Sequence, residues 1–383
     1  MRAMLLISGR RIMSESRDAW IALNLLTDLW PALRARLVEA CDGPEGVLNG
    51  GRDRLRSVPG LRTDIINKID MFDWKSSVCI ELERAREHGF TVLTPADPSY
   101  PAKLLEIHDP PPALYVYGEL LPADDRAIAV VGSRRASFYG LECAREFGRD
   151  LAAQGLTVVS GLALGADAAA HQGALEAGGR TLAVLGSGLD VLYPRRNRKL
   201  LEQVAKHGAV LSEFPLGTRP LPHHFPQRNR VIAGLSLGTV VVEATARSGS
   251  LVTARLSVEY HREVFAIPGR ITSERSMGTN YLIRAGHARL VQRAADVLEE
   301  LPRPAAGIEA PPLSDPPDPP ALPEQEATVL SCIGTDEPVP VDALAGASRM
   351  EMGSLLDALL SLEMRRLITV LPGARYLRRG PGS

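Results

Sequence analysis

The chain has 383 residues, 45% of them hydrophobic, and a formal net charge of −1, a composition that fits several soluble domains and excludes a uniformly basic nucleic-acid coat. The charge is uneven: residues 127–300 carry 21 Lys+Arg against 15 Asp+Glu, a net +6, whereas 1–126 and 301–383 are acidic by three and four charges. The four cysteines, Cys41, Cys79, Cys143 and Cys332, lie far apart and show no CxxC or metal-ligand spacing, so reduced, buried thiols in a cytoplasmic protein are expected.

In chain order, Met1 to Met13 holds an apolar run too short for a signal peptide, and no run approaches the ~20 apolar residues of a membrane span. Asp18 to Leu37 has helical spacing, and further helical stretches reach Glu83, broken at Gly43-Pro44, Gly50-Gly51 and Pro59-Gly60. The segment Ser57-Val58-Pro59-Gly60-Leu61, with Ile65-Ile66, resembles a helix–hairpin–helix, whose glycine turn touches a nucleic-acid backbone without reading sequence; a plain helical turn is the alternative. Asp97 to Leu121 is proline-rich and reads as a connection or a packing segment, giving a helical domain with its connection over residues 1–122.

Residues 127–300 alternate strand and helix patterns. Apolar runs lie at Ala127–Val131, Thr157–Val159, Thr181–Leu185, Thr239–Val242 and Val264–Ile267, with a shorter one at Ala209–Leu211. Helical patterns lie between them at Phe138–Gln154, Ala166–Ala177, Arg198–Lys206 and Ser250–Tyr260. Strands without polar alternation are buried on both faces, so the segment 123–301 is predicted to be an α/β, doubly wound, Rossmann-like sheet. Ligands of such sheets sit outside the carboxyl ends of the strands. Residues 302–323, with PPLSDPPDPP, read as a semi-extended linker. In 324–383, helices at Glu324–Ile333, Val341–Ala345 and Met352–Leu362 and strands at Leu367–Val370 and Arg375–Leu377 make a winged helix. Its third helix carries Glu351, Asp357 and Glu363 against Arg365 and Arg366 at its end, less basic than a helix entering a DNA groove, which points to a protein partner.

The chemistry gathers at the predicted strand ends. Gly132-Ser133-Arg134-Arg135 follows the first strand, Ser160-Gly161 the second, and Gly186-Ser187-Gly188 the third, continuing to Tyr193-Pro194-Arg195-Arg196-Asn197-Arg198-Lys199. A fourth loop runs from His223-His224 to Arg228-Asn229-Arg230, and a fifth from Glu243 through Ser248-Gly249-Ser250. Small residues let backbone approach a ligand, helix starts offer unpaired N–H groups to an anion, and arginines grip phosphate bidentately. So many basic loops suggest an extended anionic ligand. Phe138, Tyr139, Tyr193 and Phe225 beside them are candidate stacking surfaces or core residues. Plainer readings exist: Asp167 and His171 as a capping and packing pair, His223-His224 as a loop contact rather than a metal site, and Glu243 as a helix cap, an arginine partner or a general base. No P-loop, GxSxG elbow or clean GxGxxG occurs, and neither a cofactor, a metal nor a catalytic residue is expected.

The ordered runs VVGSRRASFYG, VVSGLALGADAAAHQGAL, AVLGSGLDVLYPRRN, SEFPLGTRPLPHHFPQRNRVIAGLS, VVVEATARSGSLVTARL, EVFAIPG and GTNYLIRAGHARL cover residues 127–290 and resemble the DprA/Smf family of DNA-processing proteins. The resemblance implies a non-enzymatic protein that binds single-stranded DNA, protects it and loads the RecA recombinase during natural transformation. It also implies a homodimer and a SAM-like N-terminal domain. By this likeness the phosphate-binding positions are Arg134, Arg195, Arg228 and Arg230; Gly132, Ser133, Arg135, Ser160, Gly161, Arg198, Lys199 and Asn229 join them on chemistry or position. Leu164 stands where many members have arginine. The competing readings are a nucleotide-hydrolysing enzyme like the phosphoribohydrolases, whose PGGxGTxxE loop is missing here, and a nucleotide-sensing module.

Overall fold

The structure is a computed structural model that describes residues 15–302, 322–334, 337–365 and 367–378. The short run at Met1 to Met13 and nearly all of the proline-rich stretch 302–323 lie outside the described residues. Six helices come first: α1 over 15–25 as far as described, α2 (Pro31–Ala40), α3 (Pro44–Asn49), α4 (Gly51–Arg56), α5 (Thr63–Asp70) and α6 (Trp74–Glu87). The expected stretch Asp18 to Leu37 is two helices. Pro31 lacks an N–H and occupies the first turn of α2, with Trp30 extended before it at φ −61°, ψ 147°. The hairpin between α4 and α5 has Gly60 at φ +78°. Its basic side chains pair with nearby acids, Arg52 with Asp70, Arg56 with Asp53, Arg62 with Asp64 and Lys68 with Asp28.

The strands in chain order are β1 (Thr91–Leu93), β2 (Leu114–Gly118), β3 (Ala127–Val131), β4 (Thr157–Ser160), β5 (Thr181–Val184), β6 (Ala209–Ser212), β7 (Gly238–Val241), β8 (Glu263–Ala266) and β9 (Arg289–Leu290). They form one sheet in the order β1-β2-β6-β5-β4-β3-β7-β8-β9. Every pairing from β6 to β9 is parallel, and β1 and β2 add on antiparallel at the β6 edge. The intervening helices are α7 (Ala102–Leu105), α8 (Phe138–Ala153), α9 (Ala166–Glu176), α10 (Arg198–His207), α11 (His224–Leu235), α12 (Gly249–Glu259), α13 (Met277–Arg284) and α14 (Ala294–Glu300). The sheet is doubly wound as expected. Sequence reasoning missed β1 and β2, because Pro110-Pro111-Pro112 masks the strand that follows it.

The period of two in β3 sorts its side chains. Ala127, Ala129 and Val131 enter the core under α11 and α12, and Ile128 and Val130 enter the core under α8, α9 and α14. Each such fully buried valine or isoleucine contributes roughly 1.5–3 kcal/mol. A third core joins Ile21 and Val78 of the helical region to Tyr115, Ala183 and Val210 of the sheet. Within it the Tyr115 hydroxyl and the Leu216 amide both donate to Glu81 Oε1, each at 2.8 Å.

The C-terminal unit comprises α15 (Glu324–Ser331), β10 (Val339–Pro340), α16 (Val341–Ser348), α17 (Met352–Met364), β11 (Ile368–Leu371) and β12 (Arg375–Arg378). Its sheet runs β10-β12-β11, and Val329, Leu344, Leu355, Leu359 and Leu362 fill a core of its own. This is the expected winged helix. No helix among the described residues is long and apolar enough to cross a membrane.

Candidate nucleic-acid interface

Chain direction across the sheet reverses between β3 and β7, so the loops leaving these two parallel strands part and open a cleft at their carboxyl ends. The cleft holds ≈ 870 Å³. Gly132, Ser133, Arg134 and Arg135 form one wall, Phe225, Arg228 and Asn229 of α11 another, and the start of α12 at Ser248-Gly249-Ser250 a third. Ser248 caps α12 by accepting from the Ser250 amide at 3.4 Å, the Leu251 amide donates to the Ser248 carbonyl at 3.1 Å, and the helix start turns the positive end of its dipole toward the cleft.

The first loop is held from below. Glu243, following β7, accepts from the Ser137 amide at 2.8 Å and the Ser137 hydroxyl at 2.6 Å, and Ser137 in turn caps α8. Glu243 therefore fixes the β3–α8 loop by holding the residue that caps α8; the helix that follows Glu243, α12, is capped by Ser248 instead. Gly165 has φ +85°, a region that glycine enters without strain, and its Cα packs on the Ser133 and Arg134 backbone where a side chain would not fit. The Ala166 amide donates to the Ser133 carbonyl at 3.2 Å, and the Arg135 amide to the Ser133 hydroxyl at 3.1 Å. Arg134 and Arg135 stay exposed above this frame, and the Arg134 guanidinium lies 4.6 Å over the Phe225 ring.

The remaining predicted residues divide. Arg228 lines the cleft but is only 4% exposed; it donates to the Val184 carbonyl, and its Nε has no partner among the described residues. Burial lowers its pKa to about 10; the Asp167 carboxylate opposes that shift and Arg134 adds to it, so it is cationic at neutral pH. Gly161 lies buried against that guanidinium and donates its amide to Asp167 at 3.2 Å. Asn229 reaches the Gly249 carbonyl at 3.2 Å and ties α11 to α12. Ser160 departs from the expectation: it is fully buried, and its hydroxyl donates to the Val130 carbonyl at 2.6 Å inside the sheet.

Arg230 departs further. It is 3% exposed, pairs with Glu213 at 2.5 Å and donates to the Asp109 carbonyl. Burial alone would lower its pKa, but Glu213 and Asp109 raise it above the usual value. The anionic partner inferred for two arginines opening one helix is, for Arg230, part of the protein itself. Arg195, Arg198 and Lys199 are exposed where α10 begins, outside the walls of the cleft, and Arg198 pairs with Glu202 at 3.3 Å.

Asp167 and His171 do not act as a pair. Asp167 accepts from the Gly161 and Ala163 amides. His171 is fully buried, with Nδ1 2.6 Å from Thr181 Oγ1. That hydroxyl already donates to the Val158 carbonyl, so Nδ1 carries the proton. Burial, with Arg228 nearby, lowers the His171 pKa to about 3, and the ring is neutral. Among the described residues no group of three or more His, Cys, Asp or Glu could hold a metal ion. Arg275 was missed: it lines the cleft and donates from Nε to the Arg135 carbonyl at 3.1 Å. Its loop follows β8, so the strand-end rule that found the other loops applies to it as well.

Residues 91–302, the segment that builds the sheet and this cleft, match the family model for DNA recombination-mediator protein A. The chain belongs to that family. Residues 313–374 match its partner module, the DprA winged helix domain. Among relatives of known name, Protein Smf of Escherichia coli K12 is 43% identical over 79% of this chain and 80% of its own length. Protein Smf of Synechocystis is 34% identical over 96% and 100%. DNA processing protein DprA of Streptococcus pneumoniae is 47% identical over 55% of this chain and 73% of its own. The X-ray structure of S. pneumoniae DprA superimposes with TM-score 0.66 at 36% identity, covering 75% of this chain and 98% of that one. DNA processing protein A of Helicobacter pylori, whose structure concerns its single-stranded DNA binding mode, superimposes with TM-score 0.50 at 30% identity, covering 55% and 97%.

Proposed function

We propose that this DprA-family chain binds single-stranded DNA in the switch-point cleft without breaking a covalent bond, protects incoming DNA and delivers it to the RecA recombinase during natural transformation. The observation that carries the reading is Arg134 stacked on Phe225 at the mouth of a cleft framed by helix N-termini. A guanidinium grips a phosphate while the adjacent ring takes a base, a combination that tolerates any sequence. The H. pylori relative supports it. Non-enzymatic action is favoured because both oxygens of Glu243 are engaged by Ser137 and Asp167 is buried among backbone amides, which leaves neither carboxylate placed to activate water.

The reading extends to partners. The face carrying Ile271, 93% exposed, with Met277 and Tyr281, is the surface assigned to a homodimer. The winged helix is assigned a protein partner, because α17 turns Leu356, Leu360 and Met364 outward where a groove-reading helix carries basic residues. The four cysteines, all free, support a location in the cytoplasm.

The test is fluorescence anisotropy of a labelled strand of about 30 nucleotides titrated across a salt series. Tight binding that weakens steeply with salt, with duplex bound far less well, is expected. Arg134→Ala loses about tenfold in affinity, as removal of a charge-assisted phosphate contact does, with an unchanged melting temperature. Wild-type affinity in that variant overturns the site. Release of base from a nucleoside monophosphate overturns the non-enzymatic reading.

A further inference from the structure

Two clusters of aromatic rings meet at the start of α11. On the cleft side Arg134 lies over Phe225, and Tyr193 is 5.7 Å from the same ring. On the other side Phe214, His224, His223 and Trp30 follow one another at 4.4, 4.5 and 5.8 Å between ring centroids. His223, His224 and Phe225 are consecutive, so the start of α11 carries one cluster toward the sheet cleft and the other toward Trp30 of the helical region. Trp30 is 59% exposed in a chain with only three tryptophans. Its position is set by Pro31, which keeps the preceding residue extended and leaves the indole outside α2.

Beside Trp30 lies a second cavity of ≈ 330 Å³, between the helical region and the loop that leads into α11. Arg34 lines it at 6% exposure; Nη2 meets the Leu26 carbonyl at 3.4 Å and Nε has no partner among the described residues. Burial lowers the Arg34 pKa to about 10, with Glu213 opposing, so the group is cationic at neutral pH. The cavity is lined by Asp28 and Glu213 as well, and Glu213 Oε1 is likewise without a partner among the described residues, so the site offers a buried donor and a buried acceptor rather than net positive charge: a base lies on the open indole and its donor and acceptor edge faces Arg34 and Glu213. The cavity is at the small end of the range for ligand pockets, room for a single base rather than a large cofactor.

We propose that Trp30 and His223 form a base-stacking platform that carries a single strand out of the switch-point cleft onto the N-terminal helical region. The proposal rests on the single-stranded DNA reading of the cleft and extends its footprint. It requires that long strands gain contacts that short strands cannot reach, and that Trp30 report their binding.

The test uses the full chain and thymidine strands of about 5 and about 20 nucleotides, followed by anisotropy and by tryptophan emission. In the wild type the long strand quenches emission. Trp30→Ala abolishes most of the quenching and weakens the long strand about fivefold or more, the fold-change that one stacked base supplies, while the short strand binds as before. Trp30→Phe restores much of the affinity, and His223→Ala gives a smaller loss of the same kind. Equal long-strand affinity in wild type and Trp30→Ala, with quenching intact, overturns the platform and leaves the cleft reading standing. An equal loss for both lengths also overturns it, since Trp30 would then act on the cleft itself. Quenching by free thymidine monophosphate as efficient as that by the strand overturns it in favour of a small-molecule pocket. Failure of both lengths to bind the wild type overturns the cleft reading, and the platform with it.

Discussion

Arg228 and Arg230 show what two residues of helical phase decide. On a helix a residue two positions on is rotated about 200°, so the two guanidiniums leave α11 on opposite sides. Arg228 goes to the cleft, and Arg230 goes inward to Glu213 and Asp109. The RNR run shows basic charge in a sequence; it does not show which side of the helix meets solvent. Arg230 is therefore a stability residue. Arg230→Met leaves the Glu213 carboxylate buried with only the Gln227 amide to pair its Oε2. An orphaned buried charge costs about 3–5 kcal/mol. Urea unfolding of this variant is expected to shift to clearly lower denaturant, while single-strand affinity of the folded fraction stays within about twofold of wild type. A selective loss of DNA affinity at wild-type stability returns Arg230 to the interface.

At the scale of elements, the strand–loop–helix units were legible because fully buried parallel strands read as continuous apolar runs; the observed bounds of β3 to β8 and of α8, α9, α10 and α12 lie within one residue of those expected. The antiparallel edge was not legible, since three prolines precede β2 and β1 has only three residues. In the site, the glycines and Arg134 could be read because their chemistry follows from a strand end. Ser160 could not, because a hydroxyl at a strand end donates inward or outward with no mark in the sequence. The support beneath the first loop was also hidden, and Gly140 shows why it matters. Gly140 lies inside α8, where alanine is ordinarily better by ~1 kcal/mol. Here a Cβ would overlap the Glu243 carboxylate that holds Ser137. Gly140→Ala is expected to reverse the usual sign, lowering the melting temperature and weakening single-strand binding although it touches no cleft residue. A more stable variant with wild-type affinity shows that Glu243 does not position the loop.

On the scale of the whole molecule, the question is which parts fold together. The helical region is joined to the sheet by buried polar contacts as well as by a common apolar core. Asn24 donates to the Glu213 carbonyl at 2.9 Å, and Glu81 receives both the Tyr115 hydroxyl and the Leu216 amide. Tyr115 is fully buried in the third core, so separating the helices from the sheet would expose it together with Ile21, Val78 and Val210. The winged helix, by contrast, fills its core from residues of its own unit. Calorimetry of the full chain is therefore expected to show two transitions, one for the helical region and sheet together and one for the winged helix, rather than one per segment of the chain. Glu81→Ala identifies the larger one. It strands a buried hydroxyl and a buried amide at about 1–3 kcal/mol each, and should lower that transition by several degrees while the winged-helix transition stays in place. Three transitions in the wild type, or a Glu81→Ala variant that melts a helical fraction early with the sheet unmoved, would mean that the shared core does not couple the two, and that a strand crossing from the cleft to Trp30 would bridge independently folding units.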